Sequence, residues 1–364
     1  MVAIEATASE LLFYCRPGFE PDLIAELTER AAEAGMAAYP RAKPDTGFVR
    51  FVPADGDLVG LAAALPLDEL IFARQRLVAL HPLERLSRED RVTPILDQLQ
   101  LTGICFDSLW HECPDTNDGQ SLVRLARALD RPLQAVLRKR GLLVPDAAGL
   151  RAHLFWSAGD RVQIAFSRPG ERSDWPEGKP RLRAASDAPS RSALKLEEAW
   201  HTFIPAEQWP ERLAEGMQAV DLGAAPGGWT WQLVRRGMHV HAVDNGPMDE
   251  RLMATTQVEH HREDAFVWEP PNPVIWLVCD IVDKPARVAA RMGDWLERQL
   301  CREAIFNLKL PMKKRWQTVR DCLEHLHERL SDAGLAYEVR ARQLYHDREE
   351  VTVHIRLVGE PLAR

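Results

Sequence analysis

The sequence predicts an α/β protein in two parts: an α+β N-terminal part and a C-terminal part built on a doubly wound, mostly parallel sheet. Three observations predict this architecture. Up to residue 167 short strands and helices alternate irregularly, and a charged, proline-containing stretch follows at 167–192. From there a regular strand–helix rhythm runs to residue 357. Strands that alternate with helices indicate parallel pairing, with helices on both faces of the sheet.

The N-terminal elements are predicted from the spacing of apolar residues. Strands are expected at 11–18, 47–53, 70–80, 103–112, 152–157 and 161–167. Helices are expected at 21–35, 57–65, 90–100 and 118–140. This order suggests two small α+β layers, which we place at residues 1–85 and 86–170, followed by a linker at 171–190.

The C-terminal part, 191–364, follows a more regular pattern. Strands are expected at 217–222, 239–244, near 257–260, 274–280, 303–310, 335–344 and 350–357. The main helices are expected at 228–236, 283–299 and 314–333. A ligand of such a sheet binds beyond the carboxyl ends of its strands, so residues at those ends are the first candidates for a site.

Composition and charge narrow the class of protein. The 46 basic and 54 acidic residues give a net charge of −8, which argues against indiscriminate coating of nucleic acid but allows a local basic surface. No apolar run predicts a membrane span, and the start of the chain does not resemble a signal peptide. The six cysteines are scattered without a C-x-x-C pair, so we expect core thiols in a reducing cytoplasm.

The stretch QAVDLGAAPGGWTWQLV, at 218–234, predicts a ligand-binding turn between a strand and a helix. Its small residues allow a ligand to approach the backbone closely. The G-x-G-x-x-G spacing of dinucleotide sites and the G-K-[ST] of phosphate loops are both missing, which leaves S-adenosylmethionine as the common ligand for such a turn. An ordinary tight turn is the alternative. The candidate residues are Gly223, Ala225, Pro226, Gly227 and Gly228.

Three acids follow three successive predicted strands. Asp244 is suited to accept hydrogen bonds from ribose hydroxyls, Asp264 from an adenine amino group, and Asp280 lies where a methyl donor would be held. Each acid alone is more often a turn residue or a helix cap. Their repetition at successive strand ends favours a site.

Two lysines and two acids are candidates for catalysis. Lys309 ends a predicted buried strand, Lys195 precedes the sheet on a helix, and Glu350 begins a late strand. We expect partial burial and the second lysine to lower the pKa of Lys309, while Asp280 and Glu350 limit the fall. A neutral lysine could then take a proton from a hydroxyl group. A simple ion pair between Lys309 and Asp280 is the alternative.

These motifs carry a resemblance to known enzymes. The string D-L-G-A-A-P-G-G-W, with the lysines and acids above, resembles the FtsJ-like RNA ribose 2′-O-methyltransferases and their K-D-K-E tetrad over about residues 190–357. The stretches LFYCRPGFE, FNLKLPMKKRW and ARQLYHDREEVTVH resemble the RlmM family of bacterial 23S rRNA cytidine 2′-O-methyltransferases. That second resemblance covers essentially the whole chain.

The resemblance implies a Rossmann-like class I methyltransferase domain at 191–364, a ferredoxin-like subdomain at 1–85 and a THUMP RNA-binding domain at 86–170. It implies S-adenosylmethionine as cofactor, held by Ser192, the glycine turn and the three acids, and Lys309 as the base. The implied substrate is 23S rRNA before the subunit is fully assembled. A cytoplasmic monomer that needs no protein partner is expected.

Basic clusters are candidates for binding the RNA backbone. For each cluster, a solvated helix face is about equally plausible. The histidines lack the accompanying spacing of a metal site, so no metal is expected. The basic candidates are Arg124, Arg127, Arg131, Arg138, Lys139, Arg140, Lys313 and Lys314.

Three other functions share some of these features. An mRNA cap ribose methyltransferase can share the tetrad, but it should carry a cap pocket, and the N-terminal half that resembles rRNA enzymes argues against it. A non-enzymatic RNA-binding or assembly factor is disfavoured by the intact glycine turn and tetrad. Base methylation would usually bring a catalytic cysteine or an N-P-P-Y-type motif.

Overall fold

The computed structural model describes residues 4, 7–145, 147 and 149–359. The chain divides into two compact units, Met1–Pro180 and Arg181–Arg364. Predictions that fall on residues 1–3, 5, 6, 146, 148 and 360–364 lie outside the described residues.

The described part of the N-terminal unit is built on one seven-stranded sheet. Its elements are β1 (Glu10–Tyr14), α1 (Glu20–Glu33), β2 (Ala38–Arg41), β3 (Phe48–Pro53), α2 (Leu58–Ala64), β4 (Gln75–Ala79), α3 (Val92–Thr102), β5 (Ser108–Glu112), α4 (Asn117–Lys139), β6 (Arg151–Ala158) and β7 (Arg161–Ser167). The strand order is β2-β3-β1-β4-β7-β6-β5. The two α+β layers expected from the sequence therefore share one sheet, because β4 pairs antiparallel with β7.

Strand β2 was not predicted from the sequence, and α4 is a single helix where more than one was expected. The β2 residues Ala-Tyr-Pro-Arg are mostly exposed and include a proline, so the edge strand shows no apolar alternation. Helix α4 runs through Pro132 without ending there, and the side chain of Thr116 caps its start by accepting a hydrogen bond from the Gly119 N–H.

A buried polar network ties four strands of the N-terminal unit together around Glu112. Its Oε2 accepts a hydrogen bond from the Tyr14 hydroxyl at 2.8 Å and lies 2.8 Å from His153 Nδ1. The other imidazole nitrogen of His153 is 2.7 Å from Ser167 Oγ. Burial alone would raise the pKa of Glu112, but the His153 charge and the hydrogen bonds outweigh it and lower the pKa. The acid is therefore ionised.

The stretch predicted as a linker is bound to the N-terminal unit as far as residue 180. The Glu177 N–H donates to Glu112 Oε1 at 2.7 Å, and Lys179 Nζ lies 2.8 Å from Asp115 Oδ1. Gly178 packs so closely that a Cβ there would lie 2.3 Å from the Arg74 carbonyl oxygen. These contacts fix the first half of the stretch.

The C-terminal unit contains a second seven-stranded sheet. Its elements are α5 (Ala193–Phe203), α6 (Trp209–Arg212), β8 (Gln218–Leu222), α7 (Gly228–Arg235), β9 (His239–Val243), α8 (Glu250–Met253), β10 (Val258–His261), β11 (Val274–Cys279), α9 (Pro285–Glu297), β12 (Cys301–Lys309), α10 (Arg315–Asp332), β13 (Ala336–Arg342) and β14 (Glu350–Val358). The strand order is β10-β9-β8-β11-β12-β14-β13. Strands β8 to β12 are parallel, and β14 and β13 are added antiparallel.

The predicted doubly wound, mostly parallel sheet is confirmed. The central strands β11 and β12 are buried on both faces, which explains their nearly continuous apolar sequence. The chain builds outward from β8 to one edge through β9 and β10, and then to the other edge through β11 and β12. The order of the strands thus reverses between β8 and β11, and ligands of such sheets bind at that switch point.

Two predictions from composition can be compared with the structure. Within the described residues, no helix is both long and apolar enough to cross a membrane. Five of the six cysteines are buried, as expected for core residues, whereas the prediction is wrong for Cys105, which is exposed.

We expect Glu112→Gln to lower the free energy of unfolding by about 1.5–3 kcal/mol, because it removes a buried carboxylate that accepts hydrogen bonds from the Tyr14 hydroxyl and the Glu177 N–H. The measurement is urea unfolding at pH 7. The folded-state pKa of Glu112 is lowered, so its contribution is present at pH 7 and is lost as the pH falls through the folded pKa, below about 4.3.

Glu84→Gln is the control, since Glu84 forms an exposed ion pair with Arg161 at 3.1 Å. It should change stability by about 1 kcal/mol or less. Equal stabilities of the two variants at pH 7 would show that the network around Glu112 does not hold the sheet together.

Candidate active site

The turn between β8 and α7 depends on two glycines with left-handed backbone angles. Gly223 has φ +76° and Gly227 has φ +115°. A Cβ at Gly223 would lie 2.4 Å from Ile281 Cγ1, and one at Gly227 would lie 2.5 Å from Leu252 Cδ2. Glycine is therefore required at both positions by conformation and by space. Between them, Ala225 is half-buried and Pro226 is exposed.

Ser192 lies against the start of α7, far from it in sequence. A Cβ at Gly228 would lie 2.5 Å from Ser192 Oγ and 2.3 Å from Ser190 Oγ, so this approach also needs glycine. The Ser192 carbonyl accepts a hydrogen bond from Trp229 Nε1 at 3.0 Å. The structure thus brings the predicted Ser192 next to the predicted turn.

Asp244, at the end of β9, is joined to the same turn. Its Oδ2 accepts a hydrogen bond from the Ala225 N–H at 3.1 Å, and its Oδ1 accepts one from the Gly246 N–H at 2.7 Å. The carboxylate is half-buried. A carboxylate can accept about four hydrogen bonds, so about two acceptor positions remain for a ligand.

Asp264 follows β10 and is exposed. Its Oδ1 accepts a hydrogen bond from the Phe266 N–H at 2.8 Å. Within the described part of the chain its hydrogen bonds are to its own turn, so the structure does not join it to the other predicted residues. Its second carboxylate oxygen is not used in this turn.

The four predicted catalytic residues form one cluster at the ends of β11 and β12. Lys309 Nζ contacts Asp280 Oδ1 and Glu350 Oε2. Lys195 Nζ contacts Glu350 Oε1 and lies 3.3 Å from Asp280 Oδ2. The side chains of both lysines and Asp280 are 16–18% exposed, and that of Glu350 is 7% exposed. Each carboxylate thus bridges the two ammonium groups, and the formal charges of the cluster cancel.

The expected lowering of the Lys309 pKa is wrong for this state of the protein. Burial does act to lower the pKa, but the charges of Asp280 and Glu350 and their hydrogen bonds outweigh it and raise the pKa. The sequence-based prediction assumed that the charge of Lys195 would lower the pKa of Lys309. In the structure each lysine contacts two carboxylates, whose charges act in the opposite direction. Lys309 is therefore an ammonium group in the structure described here.

Two residues of the site were not assigned from the sequence. Asp221, in the D-L-G part of the glycine motif, is buried in β8 and accepts a hydrogen bond from the Thr230 hydroxyl at 2.6 Å. Burial raises its pKa to about 7, against that hydrogen bond. Asn307 donates from Nδ2 to Asp280 Oδ1 at 2.8 Å. Asn307 precedes Lys309 by two residues, so both side chains lie on the same face of the strand. This spacing could have identified Asn307 from the sequence.

The basic candidates lie in two places and are exposed. Lys313 and Lys314 precede α10 in the C-terminal unit. In the N-terminal unit, helical spacing puts four arginines of α4 within roughly 60° of the helix circumference and along about 21 Å of its axis. We call these four the α4 arginine stripe; Lys139 and Arg140 follow at the helix end. The stripe consists of Arg124, Arg127, Arg131 and Arg138.

His241 on β9 and His261 on β10 lie close to Glu259, and all three residues are possible metal ligands. His241, Glu259 and His261 each offer one ligand atom, and these atoms lie within 4.8 Å of one another. His241 Nδ1 and His261 Nε2 are 3.0 Å apart, the distance of a direct hydrogen bond, which explains the pair without an ion. The prediction of no metal stays a prediction.

Comparison with known families divides the chain into three matching regions. Residues 8–77 match the RlmM ferredoxin-like domain, and residues 90–168 match the N-terminal domain of ribosomal RNA large subunit methyltransferase M. Residues 188–292 match the FtsJ-like methyltransferase family. The last region contains the glycine turn and Asp280.

Relatives align over nearly the whole chain. The ribosomal RNA large subunit methyltransferase M of Chromohalobacter salexigens is 57% identical, over 96% of this chain and 98% of its own length. The protein of the same name from Erwinia tasmaniensis is 50% identical, over 96% and 97%. Among solved structures, TrmN from Thermus thermophilus aligns at 14% identity and a TM-score of 0.33, over 96% of this chain and 99% of its own, too weakly to support an argument. The chain belongs to the ribosomal RNA large subunit methyltransferase M family, as the resemblance of its motifs predicted.

Proposed function

We propose that this protein methylates the ribose 2′-hydroxyl of a cytidine in 23S rRNA. It is an S-adenosylmethionine-dependent ribosomal RNA methyltransferase, and the FtsJ-like domain supports a ribose hydroxyl as the acceptor. The observation that carries the proposal is the cluster of Lys195, Asp280, Lys309 and Glu350 at the carboxyl ends of β11 and β12. Cytidine as the target nucleoside is supported by the resemblance of the motifs alone.

The residues around the glycine turn fit the cofactor. Asp244 retains acceptor positions for ribose hydroxyls, and Asp264 has an exposed carboxylate oxygen suited to an amino group. The backbone of the turn from Gly223 to Gly228, together with Ser192, is proposed to line the rest of the site, with Asp280 beside the reacting end. When bound, S-adenosylmethionine supplies an electrophilic methyl group on a positively charged sulfur.

Lys309 is proposed to remove the proton of the attacking hydroxyl. Its ammonium form must first lose a proton. Additional positive charge close to the balanced cluster, or further loss of solvent when RNA covers it, would favour that loss. The neutral amine then accepts the hydroxyl proton, while Lys195, Asp280 and Glu350 hold it in place.

The N-terminal residues are proposed to bind the rRNA. We propose a ferredoxin-like subdomain at 1–85, a THUMP domain at 86–170, a linker at 171–190 and the methyltransferase domain at 191–364. The α4 arginine stripe is long enough to contact several phosphates of an RNA strand. Lys139, Arg140, Lys313 and Lys314 are further candidates for phosphate contacts.

We infer that the enzyme works in the cytoplasm as a monomer and needs no protein partner. We infer that its substrate is 23S rRNA before full assembly of the subunit.

Asp244→Ala should weaken S-adenosylmethionine binding by about 10- to 100-fold, since the loss of hydrogen bonds to a charged acceptor costs about 1.5–3 kcal/mol. Isothermal titration calorimetry gives the Kd. Asp332→Ala, an exposed change on α10, is the control and should bind as the wild type does. An unchanged Kd in Asp244→Ala would remove this residue from the proposed cofactor site.

Lys309→Ala should lower the single-turnover rate of methyl transfer by roughly 100-fold or more, as expected for loss of a general base. The Kd for S-adenosylmethionine should change little. Lys309→Arg should not restore the rate, because arginine stays protonated. The measurement is transfer of a labelled methyl group to 23S rRNA at saturating cofactor and RNA.

The dependence of the methyl-transfer rate on pH also tests whether Lys309 acts as the base. The pKa of Lys309 is raised, so the fraction of neutral amine is small at pH 7 and increases with pH. The wild-type rate should therefore rise by about tenfold per pH unit through the neutral range. A rate that is independent of pH, together with wild-type rates in both variants, would leave Lys309 as a structural ion-pair partner.

Reversing charge on the α4 arginine stripe should weaken RNA binding. The double variant Arg131→Glu, Arg138→Glu should raise the Kd for a 23S rRNA fragment and reduce the slope of log Kd against log salt by about one to two. The control is Arg298→Glu, Arg320→Glu, which changes the net charge equally, at a position just after α9 and at one on α10. Equal losses in the two double variants would point to net charge rather than to the stripe.

A further inference from the structure

A chain of buried polar side chains leads away from the catalytic cluster. It starts at Asp280 Oδ1, which accepts a hydrogen bond from Asn307 Nδ2 at 2.8 Å. Asn307 Oδ1 lies 2.7 Å from Thr352 Oγ1, and Thr352 Oγ1 lies 2.9 Å from Asp347 Oδ2. The last three residues of this chain are completely buried. None of them has a role in the function proposed above.

Strand pairing places this chain directly behind the cluster. In the antiparallel ladder of β12 and β14, Lys309 is opposite Glu350 and Asn307 is opposite Thr352. Residues two apart on a strand share one face of the sheet. The pair of Asn307 and Thr352 is therefore the next step inward on the face that presents Lys309 and Glu350.

The three contacts need three hydrogen atoms. The amide of Asn307 supplies the one toward Asp280, and the single hydroxyl hydrogen of Thr352 can serve only one of the other two contacts. If Thr352 donated to an ionised Asp347, its oxygen would face Asn307 Oδ1 with no hydrogen between them. Turning the amide would instead place its oxygen against the Asp280 carboxylate. All three bonds form only when Asp347 is a protonated acid that donates to Thr352.

The surroundings of Asp347 agree with a neutral acid. Burial raises its pKa well above the ordinary value, Glu350 and Glu198 raise it further, and Lys195 and a hydrogen bond from the Leu344 N–H oppose the rise. The loop that carries Asp347 is held in place from α5: Glu198 accepts hydrogen bonds from the N–H groups of the two residues before Asp347, at 2.7 and 2.9 Å. The same helix carries Lys195.

We propose that Asp347, Thr352 and Asn307 form a positioning relay that orients Asp280 toward Lys309, and that the relay is intact only while Asp347 is protonated. This inference rests on the proposed function, in which Lys309 is the base. Each residue of the relay holds the next one. With the Thr352 hydroxyl removed, the Asn307 amide loses the partner that fixes its orientation, and Asp280 loses a defined donor. The relay residues are positioning residues that act through Asp280.

Thr352→Val tests the relay, because it keeps the β-branched shape in the strand and removes the hydroxyl. We expect its single-turnover rate to fall about 10-fold, which is within the range of one hydrogen bond to a charged group. The Kd for S-adenosylmethionine should stay close to the wild-type value, whereas the melting temperature should fall, because Asn307 and Asp347 each lose a buried hydrogen-bond partner. The rates are therefore compared well below the melting temperature of the variant. Thr352→Ser retains the hydroxyl and should restore most of the rate. Wild-type rates in both variants, or equal losses in both, would overturn the relay.

The protonation of Asp347 is tested without reference to activity. The infrared difference spectrum between the wild type and Asp347→Asn at pH 7 should contain the carbonyl band of a protonated carboxylic acid. A carboxylate band in its place would overturn the inference.

If the wild type methylates rRNA and Thr352→Val does so equally well, the relay fails and the proposed function stands. If the wild type methylates no RNA, the proposed function fails and the infrared result still decides the state of Asp347.

Discussion

The register between β12 and β14 is the constraint on which the active site depends. Opposed residues on these antiparallel strands place Lys309 against Glu350, and a shift by one residue would turn each side chain to the other face. Completely buried residues such as Ile305 and Val353 fix that register, since slippage would exchange apolar for polar groups on the buried faces. The hydrophobic core thus sets the position of Lys309, the proposed base. Asp280, which contacts Lys309, directly follows β11, the parallel neighbour of β12.

Charge balance explains how four ionisable groups can share one partly buried place. Two ammonium groups and two carboxylates satisfy one another, which limits the free energy that desolvation costs. The same balance stabilises Lys309 as an ammonium group, the form that cannot act as a base. In the proposed mechanism this cluster is therefore inactive until Lys309 loses a proton, and a change in the surroundings of the carboxylates on RNA binding is proposed to favour that loss.

The strands and the glycine turn were predictable because each leaves a local signal: apolar periodicity in β8 to β14, and small residues at a strand end. Features set by tertiary contacts were not predictable. The sequence does not show that β4 and β7 join two layers, or that each lysine contacts two carboxylates. Asn307 could have been found from its spacing to Lys309. Asp347 could not, because its partner Thr352 and its neighbour Glu198 are brought to it only by folding.

A neutral Asp347 also matters for the charge of the cluster. An ionised acid behind Asp280 would add a third negative charge to the two carboxylates that already raise the pKa of Lys309. The lysine would then release its proton even less readily. As a protonated acid, Asp347 supplies a hydrogen-bond donor without that charge, so the relay can orient Asp280 while the formal charges of the cluster still cancel. Burial of Asp347 is therefore consistent with a base that must lose its proton when substrate is present.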